Sequence, residues 1–239
     1  MRRRLLLLAL AVSAVAAIAP SGASAGTECD GLIVCIPVKG PWVQVPGGAA
    51  PTYYQLSCPG RGQIVGGLDA DRAGPLELSF LGLLGGPVGP GVTTNRSAVF
   101  VARTTLSLAS FRPLLGCIPA SGGGGRARTS YEPRRKLMAA APRPIPDATI
   151  RRVKNVGLKD VATQRLTHGC LAGERLLAWS TAVAFRQNRP LALSALGSVR
   201  ATAMPAGARV AVRVRSGITR PDDVGVELQI HAICVKGPS

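Results

Sequence analysis

Six cysteines restrict the folds open to this chain of 239 residues: Cys29, Cys35, Cys58, Cys117, Cys170 and Cys234. An even number of cysteines in an exported protein indicates a disulfide framework, although six cysteines allow fifteen pairings. Cys29 and Cys35 stand close together, whereas the other four form two widely spaced pairs of similar separation. The spacing therefore predicts the bridges 29–35, 58–117 and 170–234. The alternative is a zinc site, which is disfavoured because Cys-x-x-Cys pairs are absent and the chain has only two histidines.

The N-terminal segment has the pattern of a secretory signal peptide. Three arginines precede the apolar run Leu5–Ile18, and Ala23-Ser24-Ala25 supplies the small residues that signal peptidase needs. A membrane anchor is the alternative, but a span needs ~20 apolar residues. We therefore expect residues 1–25 to be removed and the protein to be secreted or associated with the cell wall. The removed segment holds three arginines and no acid, so the net charge falls from +17 to +14.

Composition favours short strands over long helices. The chain is 46% hydrophobic but contains 29 glycines and 19 prolines, which is typical of strands separated by many turns. The best period-two patterns lie in the second half, where Val210, Val212 and Val214 are expected to face inward. Strand 226–234 is expected to bury Val226, Leu228, Ile230 and Cys234 and to expose Glu227, Gln229 and His231.

These patterns predict an all-β protein of two tandem antiparallel β-sandwich domains, each with an internal disulfide. The expected boundaries are 26–119 for the first domain, 120–154 for a linker and 155–239 for the second domain. In both halves a cysteine is followed by a glycine turn and an apolar strand, and a late strand leads into the second cysteine. This suggests an internal duplication, although a shared β-architecture could produce the same pattern.

The stretches Cys58-Pro59-Gly60 to Gly67 and Gly173 to Phe185 resemble exported proteins of high-GC Gram-positive bacteria that carry Cys-Pro-x-Gly-type repeats, each closed by a late cysteine. Leu171 stands where the repeat has proline. The resemblance implies a secreted β-sandwich protein and no particular activity.

The predicted linker 120–154 is strongly basic. It contains nine basic residues and two acids, a net charge of +7, and its prolines block a continuous helix. One interpretation is a solvated spacer. The other is a segment that binds an anionic wall polymer, an acidic glycan or a lipid surface. Specific nucleic-acid binding is not expected, because only Tyr131 could stack on a base. The polyanion-binding candidates, which include a second basic stripe at 209–215, are Arg126, Arg128, Arg134, Arg135, Lys136, Arg151, Arg152, Lys154, Arg209, Arg213 and Arg215.

No catalytic residue, metal site or cofactor is predicted. His168 and His231 have no positioned carboxylate beside them and are expected to be ordinary surface histidines. We therefore expect a secreted, non-enzymatic surface or matrix protein, with the ligand and the oligomeric state left open.

A carbohydrate-binding module or carbohydrate-active enzyme is the alternative function. Its candidate residues are Asp69 and Asp71, which are expected in a turn that could also bind calcium, together with Trp42 and the pair Tyr53-Tyr54. Trp179 is expected to belong to the core.

Overall fold

A computed structural model describes residues 27–30, 32, 34–48, 50–82, 96–120, 138–139, 149–159, 162–217 and 225–236. The predicted signal segment 1–25 lies outside these residues. Within them the chain forms β-strands and one short helix, which confirms the all-β class. No helix among the described residues is long and apolar enough to cross a membrane.

The strands fall into two groups along the chain. The first group precedes the predicted linker or lies within it: β1 (Ile36–Lys39), β2 (Trp42–Pro46), β3 (Thr52–Ser57), β4 (Gln63–Ala73), β5 (Glu77–Gly82), β6 (Ser97–Arg103), β7 (Leu108–Pro119) and β8 (Met138–Ala139). The second group contains β9 (Ile150–Gly157), β10 (Ala162–Gly169), β11 (Glu174–Arg186), helix α1 (Leu193–Gly197), β12 (Val199–Ala206), β13 (Arg209–Ser216) and β14 (Gly225–Lys236).

These strands form three sheets. The largest has seven strands in the order β1-β7-β2-β11-β14-β9, with β4 also paired to β7. A second sheet has the order β3-β6-β5-β8 and a third the order β10-β13-β12. All pairings are antiparallel except that of β8 with β5.

The two halves pair their strands in the same way. The order β3-β6-β5 in the first half corresponds to β10-β13-β12 in the second, and the pair β4–β7 corresponds to β11–β14. The register agrees at single residues, since Cys117 is opposite Val65 and Cys234 is opposite Leu176. In both halves an irregularity of one residue follows that position, between residues 65 and 67 and between residues 176 and 178.

All three predicted disulfides are confirmed. Cys29 bonds to Cys35, Cys58 to Cys117, and Cys170 to Cys234, with Cα–Cα distances of 5.6, 5.8 and 5.6 Å. The two long bridges tie the residues that follow β3 and β10 to β7 and β14, respectively. Each long bridge therefore connects the small sheet of its half to the seven-stranded sheet.

Buried residues form two clusters, one dominated by each half. Both clusters meet at β11, where Ala182 and Ala184 belong to the first and Val183 and Phe185 to the second. Because successive side chains of a strand point to opposite faces, the two small sheets cover opposite faces of the large sheet at this strand. The halves are also joined by backbone pairing, since Ala184 of β11 is opposite Val43 of β2.

Two expectations need correction. Residues 150–154, assigned to the linker from sequence, form the first part of β9 and pair with β14. Glu227, Gln229 and His231, expected on a solvent face, are 5%, 1% and 0% exposed. The physical reason is that β3 of the first half lies against this face: the Tyr54 hydroxyl donates to Glu227, and the Gln55 backbone N–H donates to Gln229.

Candidate polyanion-binding face

The sheet β10-β13-β12 has one apolar and one basic face. On β13 the valines at 210, 212 and 214 are almost fully buried, whereas Arg209, Arg213 and Arg215 are exposed. This confirms the predicted alternation of β13. The burial of the valines against the second core fixes the direction of the three arginines, because neighbouring residues of a strand point to opposite sides.

The neighbouring strands add two arginines that the sequence did not single out. Arg165 of β10 is directly opposite Arg213, and Arg200 of β12 is directly opposite Arg215. Both are exposed. Residues directly opposite in antiparallel strands have Cα atoms about 4.5–5.5 Å apart, so four arginines form a compact cluster across three strands. Arg209 lies on the same face, at the other end of β13.

We call these five residues the arginine face: Arg165, Arg200, Arg209, Arg213 and Arg215. The three strands that present it contain no Asp or Glu. Among the described residues, none of the five guanidinium groups has a hydrogen-bond or ion-pair partner. Like charges placed directly opposite one another on a sheet are destabilising, so the chain keeps a concentration of positive charge at a cost in stability.

The chemistry of this face suits an extended anionic ligand. A guanidinium group presents five N–H donors in a planar fork that fits phosphate or carboxylate oxygens two at a time. Thr163 and Thr202 lie opposite Arg215 and Arg213 and add hydroxyl donors. The three strands contain no Phe, Trp or Tyr, so they offer no aromatic platform for stacking nucleobases.

The candidates in the predicted linker have different positions. Arg126, Arg128, Arg134, Arg135 and Lys136 lie outside the described residues. Arg151, Arg152 and Lys154 belong to β9, and all three have hydrogen-bond partners within the chain.

Arg151 contacts Tyr53 of the first half of the protein. Its Nη1 atom is 2.9 Å from Nδ1 of His231, and its guanidinium carbon lies 5.4 Å from the ring centroid of Tyr53. Burial lowers the pKa of Arg151. This side chain therefore links the halves and is not a free contact for a polymer.

Arg152 forms an ion pair with Glu174. Its Nε and Nη2 atoms lie 2.8 and 2.5 Å from the two carboxylate oxygens, and these hydrogen bonds lower the pKa of Glu174 to about 2. The Lys154 side chain is exposed, and its Nζ atom donates a long hydrogen bond of 3.3 Å to the backbone oxygen of Thr167. Lys154 is thus the member of this group whose position suits an external ligand.

The residues of the carbohydrate alternative do not form a stacking platform. Trp42 is 4% and Tyr54 2% exposed, and the Arg112 guanidinium lies 5.1 Å from the Trp42 ring centroid. Tyr53 is half-buried against Arg151. Trp179, expected in the core, is instead 39% exposed.

Asp69 and Asp71 lie within β4, and the expected turn is wrong. Asp69 is 1% exposed and accepts hydrogen bonds from the backbone and hydroxyl groups of Thr27. Asp71 forms an ion pair with Arg112 at 2.7 Å. Both carboxylates are therefore held by groups of the protein itself.

A group with the spacing of metal ligands occurs in the described part of the chain at Cys170, Glu174 and Cys234. The two cysteines are joined to each other and Glu174 is bound to Arg152. Without a thiolate, these atoms are a poor donor set for a metal ion.

Comparisons of this chain with models of known protein families, with curated proteins and with solved structures found no match. The functional argument therefore depends on the residues themselves.

Proposed function

We propose that this chain is an exported, non-enzymatic protein that binds an anionic polymer of the cell wall through the arginine face. The single observation that carries the proposal is the cluster of Arg165, Arg200, Arg213 and Arg215, which has no acidic residue on its three strands. The basic residues 126–136 of the linker are proposed as a second contact.

Export is supported by the N-terminal sequence pattern and by the three disulfides, because such bonds persist in oxidising compartments. We also propose that the halves are tandem sandwich repeats that arose by duplication. The common strand order, the two matching disulfides and the irregularity at the same place in both registers support this proposal.

The physical basis of the proposed binding is electrostatic. Four guanidinium groups at neighbouring sheet positions repel one another until anionic groups lie between them, and a polymer with repeated phosphate or carboxylate groups supplies several such contacts at once. Exposed charges are screened over ~10 Å at 0.1 M salt. Binding should therefore weaken steeply as the salt concentration rises.

The test is binding of residues 26–239 to purified cell walls of a high-GC Gram-positive bacterium across a salt series. The site variant combines R165Q, R200Q, R213Q and R215Q. The matched control combines R61Q, R72Q, R175Q and R189Q, which removes the same charge from exposed arginines elsewhere. We expect the site variant to lose at least tenfold in affinity while the control stays within about twofold of the parent. If both variants lose the same affinity for cell walls, binding depends on net charge alone and the proposal is overturned.

A third variant separates the linker from the sheet. Because residues 150–154 belong to β9, the linker is altered by substituting Gln at Arg126, Arg128, Arg134, Arg135 and Lys136 and not by deletion. A loss confined to this variant would assign binding to the linker and contradict the role of the arginine face. Binding to vesicles of anionic lipid is measured in a separate experiment. Tighter binding to the vesicles than to cell walls would identify a lipid surface, and not the wall polymer, as the ligand.

Carbohydrate binding is the second candidate function, favoured by the exposure of Trp179, since an exposed indole can stack on a sugar ring. It predicts binding of neutral glycans that is insensitive to salt and is lost in Trp179→Ala. Unchanged glycan binding in that variant would remove this candidate.

A further inference from the structure

The exposed face of the sheet β10-β13-β12 is arranged in transverse rows, each with one residue from every strand. In a row, the residue of β13 lies between its two directly opposite partners on β12 and β10. The first row is Arg200, Arg215 and Thr163, and the second row is Thr202, Arg213 and Arg165. All of these side chains are exposed. Each of the two rows therefore presents two adjacent guanidinium groups and one hydroxyl group.

The rows follow one another along β13 at intervals of two residues, which is about 7 Å. The third row is centred on Ala211 and has no arginine, but Nζ of Lys154 is 3.3 Å from the backbone oxygen of Thr167 at the β10 end of this row. The fourth row is centred on Arg209, which is exposed. Positive charge is therefore available along a track of about 20 Å, with a repeat of about 7 Å.

This repeat restricts the polymers that can contact every row. Three backbone bonds of an extended polypeptide span at most about 3.6 Å, so six single bonds span about 7 Å. A phosphodiester chain in which a three-carbon polyol such as glycerol links the phosphates has six backbone bonds per repeat. In a polysaccharide with a carboxylate on every second sugar, two rings separate the charges and hold them farther apart than neighbouring rows.

The uncharged groups of the rows favour the same class of ligand. The hydroxyl groups of Thr163 and Thr202 can both donate and accept a hydrogen bond, which suits the free hydroxyl of a polyol between two phosphates. A nucleic acid also has six backbone bonds between its phosphates. Because the three strands contain no Phe, Trp or Tyr, its bases would find no stacking partner on this face.

We propose that the polymer bound by the arginine face is a polyol phosphate with a three-carbon linker, which runs along β13 with one phosphate at each row. This inference rests on the proposed function. Two guanidinium groups bind the phosphate at each of the first two rows, and Arg209 binds the phosphate three repeats beyond the first row. A ligand with two phosphates therefore occupies the first two rows, whereas a ligand with four also reaches Arg209.

The test uses synthetic glycerol phosphate oligomers with two and with four phosphodiester groups, whose binding to residues 26–239 is measured by calorimetry at low salt. We expect the longer oligomer to bind at least about tenfold more tightly. Arg213→Gln should weaken the binding of both oligomers. Arg209→Gln should weaken that of the longer oligomer at least about threefold and leave that of the shorter within about 1.5-fold. Arg72→Gln removes the same charge from an exposed site outside the face and should leave both within about 1.5-fold.

Three results would overturn the inference. The first is an Arg209→Gln variant that affects both oligomers equally or affects neither, because Arg209 would then not be a contact reached only by the longer ligand. The second is a lack of measurable binding of the longer oligomer. The third is equal or tighter binding of another polymer with four charges: an oligosaccharide with carboxylates on alternate rings would indicate an acidic glycan, and an oligothymidylate would indicate a nucleic acid.

The two proposals fail in different ways. If cell walls bind through the arginine face while Arg209→Gln has the same effect on both oligomers, the proposed ligand and its register fail and the proposed function stands. If the oligomers bind in the expected register while wall binding is the same in the site variant and the parent, the proposed function fails and a site for short polyol phosphates remains.

Discussion

The Tyr54 hydroxyl lies 2.5 Å from Oε1 of Glu227, a hydrogen bond between β3 of the first half and β14 of the second. The other carboxylate oxygen of Glu227 accepts from Arg186, whose Nε and Nη2 atoms are 2.9 and 2.7 Å away. Burial and the neighbouring carboxylate raise the pKa of Tyr54. The phenol therefore stays protonated and donates, and this hydrogen bond to the buried Glu227 side chain forms only when the halves are together.

Tyr54→Phe should destabilise the protein because it removes one donor from this carboxylate. A hydrogen bond to a charged group contributes about 1.5–3 kcal/mol, so the free energy of unfolding should fall by that amount in urea denaturation. Tyr53→Phe is the control, since the ring over Arg151 is kept. Equal stability of both variants would contradict the role assigned to the Tyr54 hydroxyl.

His231 should make the protein less stable in acid. Its Nε2 donates to Gln229 at 2.6 Å and its Nδ1 accepts from Arg151 at 2.9 Å, which requires the neutral ring. Burial, and secondly the charge of Arg151, lower the pKa of His231 to about 3 from an ordinary value of 6.5. Between these pH values the unfolded chain binds more protons than the folded one. The contribution of the neutral His231 to the free energy of unfolding is therefore fully present above pH 6.5 and is lost as the pH drops towards 3.

The check is urea denaturation at several pH values between 7 and 4. His231→Gln removes the titrating group and keeps an acceptor for Arg151, so its stability should depend less on pH than that of the parent. His168→Gln serves as the comparison: burial also lowers the pKa of His168, but this side chain is only half-buried, so the variant should keep more of the pH dependence than His231→Gln. If the free energy of unfolding of His231→Gln depends on pH as steeply as that of the parent, other groups cause the loss of stability in acid.

Sequence spacing predicted the features that depend on local order along the chain. The alternation of valine and arginine in β13 was recognisable because successive side chains of a strand point to opposite faces, so a short stretch of sequence shows which residues share a face. The disulfides followed from two similar separations, which reflect the common strand order of the halves. The all-β class followed from the same patterns.

Features that depend on distant chain segments were not predictable. The alternation in β14 shows which residues share a face of the strand, but it does not show that both faces are covered. Gln229 is buried because Gln55, 174 positions away in the sequence, lies against it. Arg165 and Arg200 join the arginine face only because β10 and β12 flank β13. The predictions for both tryptophans were wrong for a similar reason, because Trp42 was treated as a stacking candidate and Trp179 was placed in the core. Trp42 is covered by segments of both halves and packs in the second core.

The long disulfides should contribute equally to stability. On the chain-entropy model, loops of 59 and 64 residues stabilise by roughly 4 kcal/mol each, and the short loop at 29–35 by roughly 2 kcal/mol. We expect Cys58→Ala/Cys117→Ala and Cys170→Ala/Cys234→Ala to lose similar amounts of unfolding free energy and Cys29→Ala/Cys35→Ala to lose less. Denaturation of the three double variants under non-reducing conditions measures this, and a larger loss at 29–35 would contradict it.

The arginine cluster should be a site where loss of charge stabilises the fold. Arg213 is opposite Arg165 and two residues from Arg215, so Arg213→Gln should raise the free energy of unfolding by about 0.2–1 kcal/mol at low salt. At 1 M salt, where screening acts over ~3 Å, the gain should vanish. Arg72→Gln, at a position opposite Phe111 of β7, should show no such gain. A destabilised Arg213→Gln at low salt would mean that this guanidinium has a stabilising partner, and the repulsive cluster would have to be abandoned.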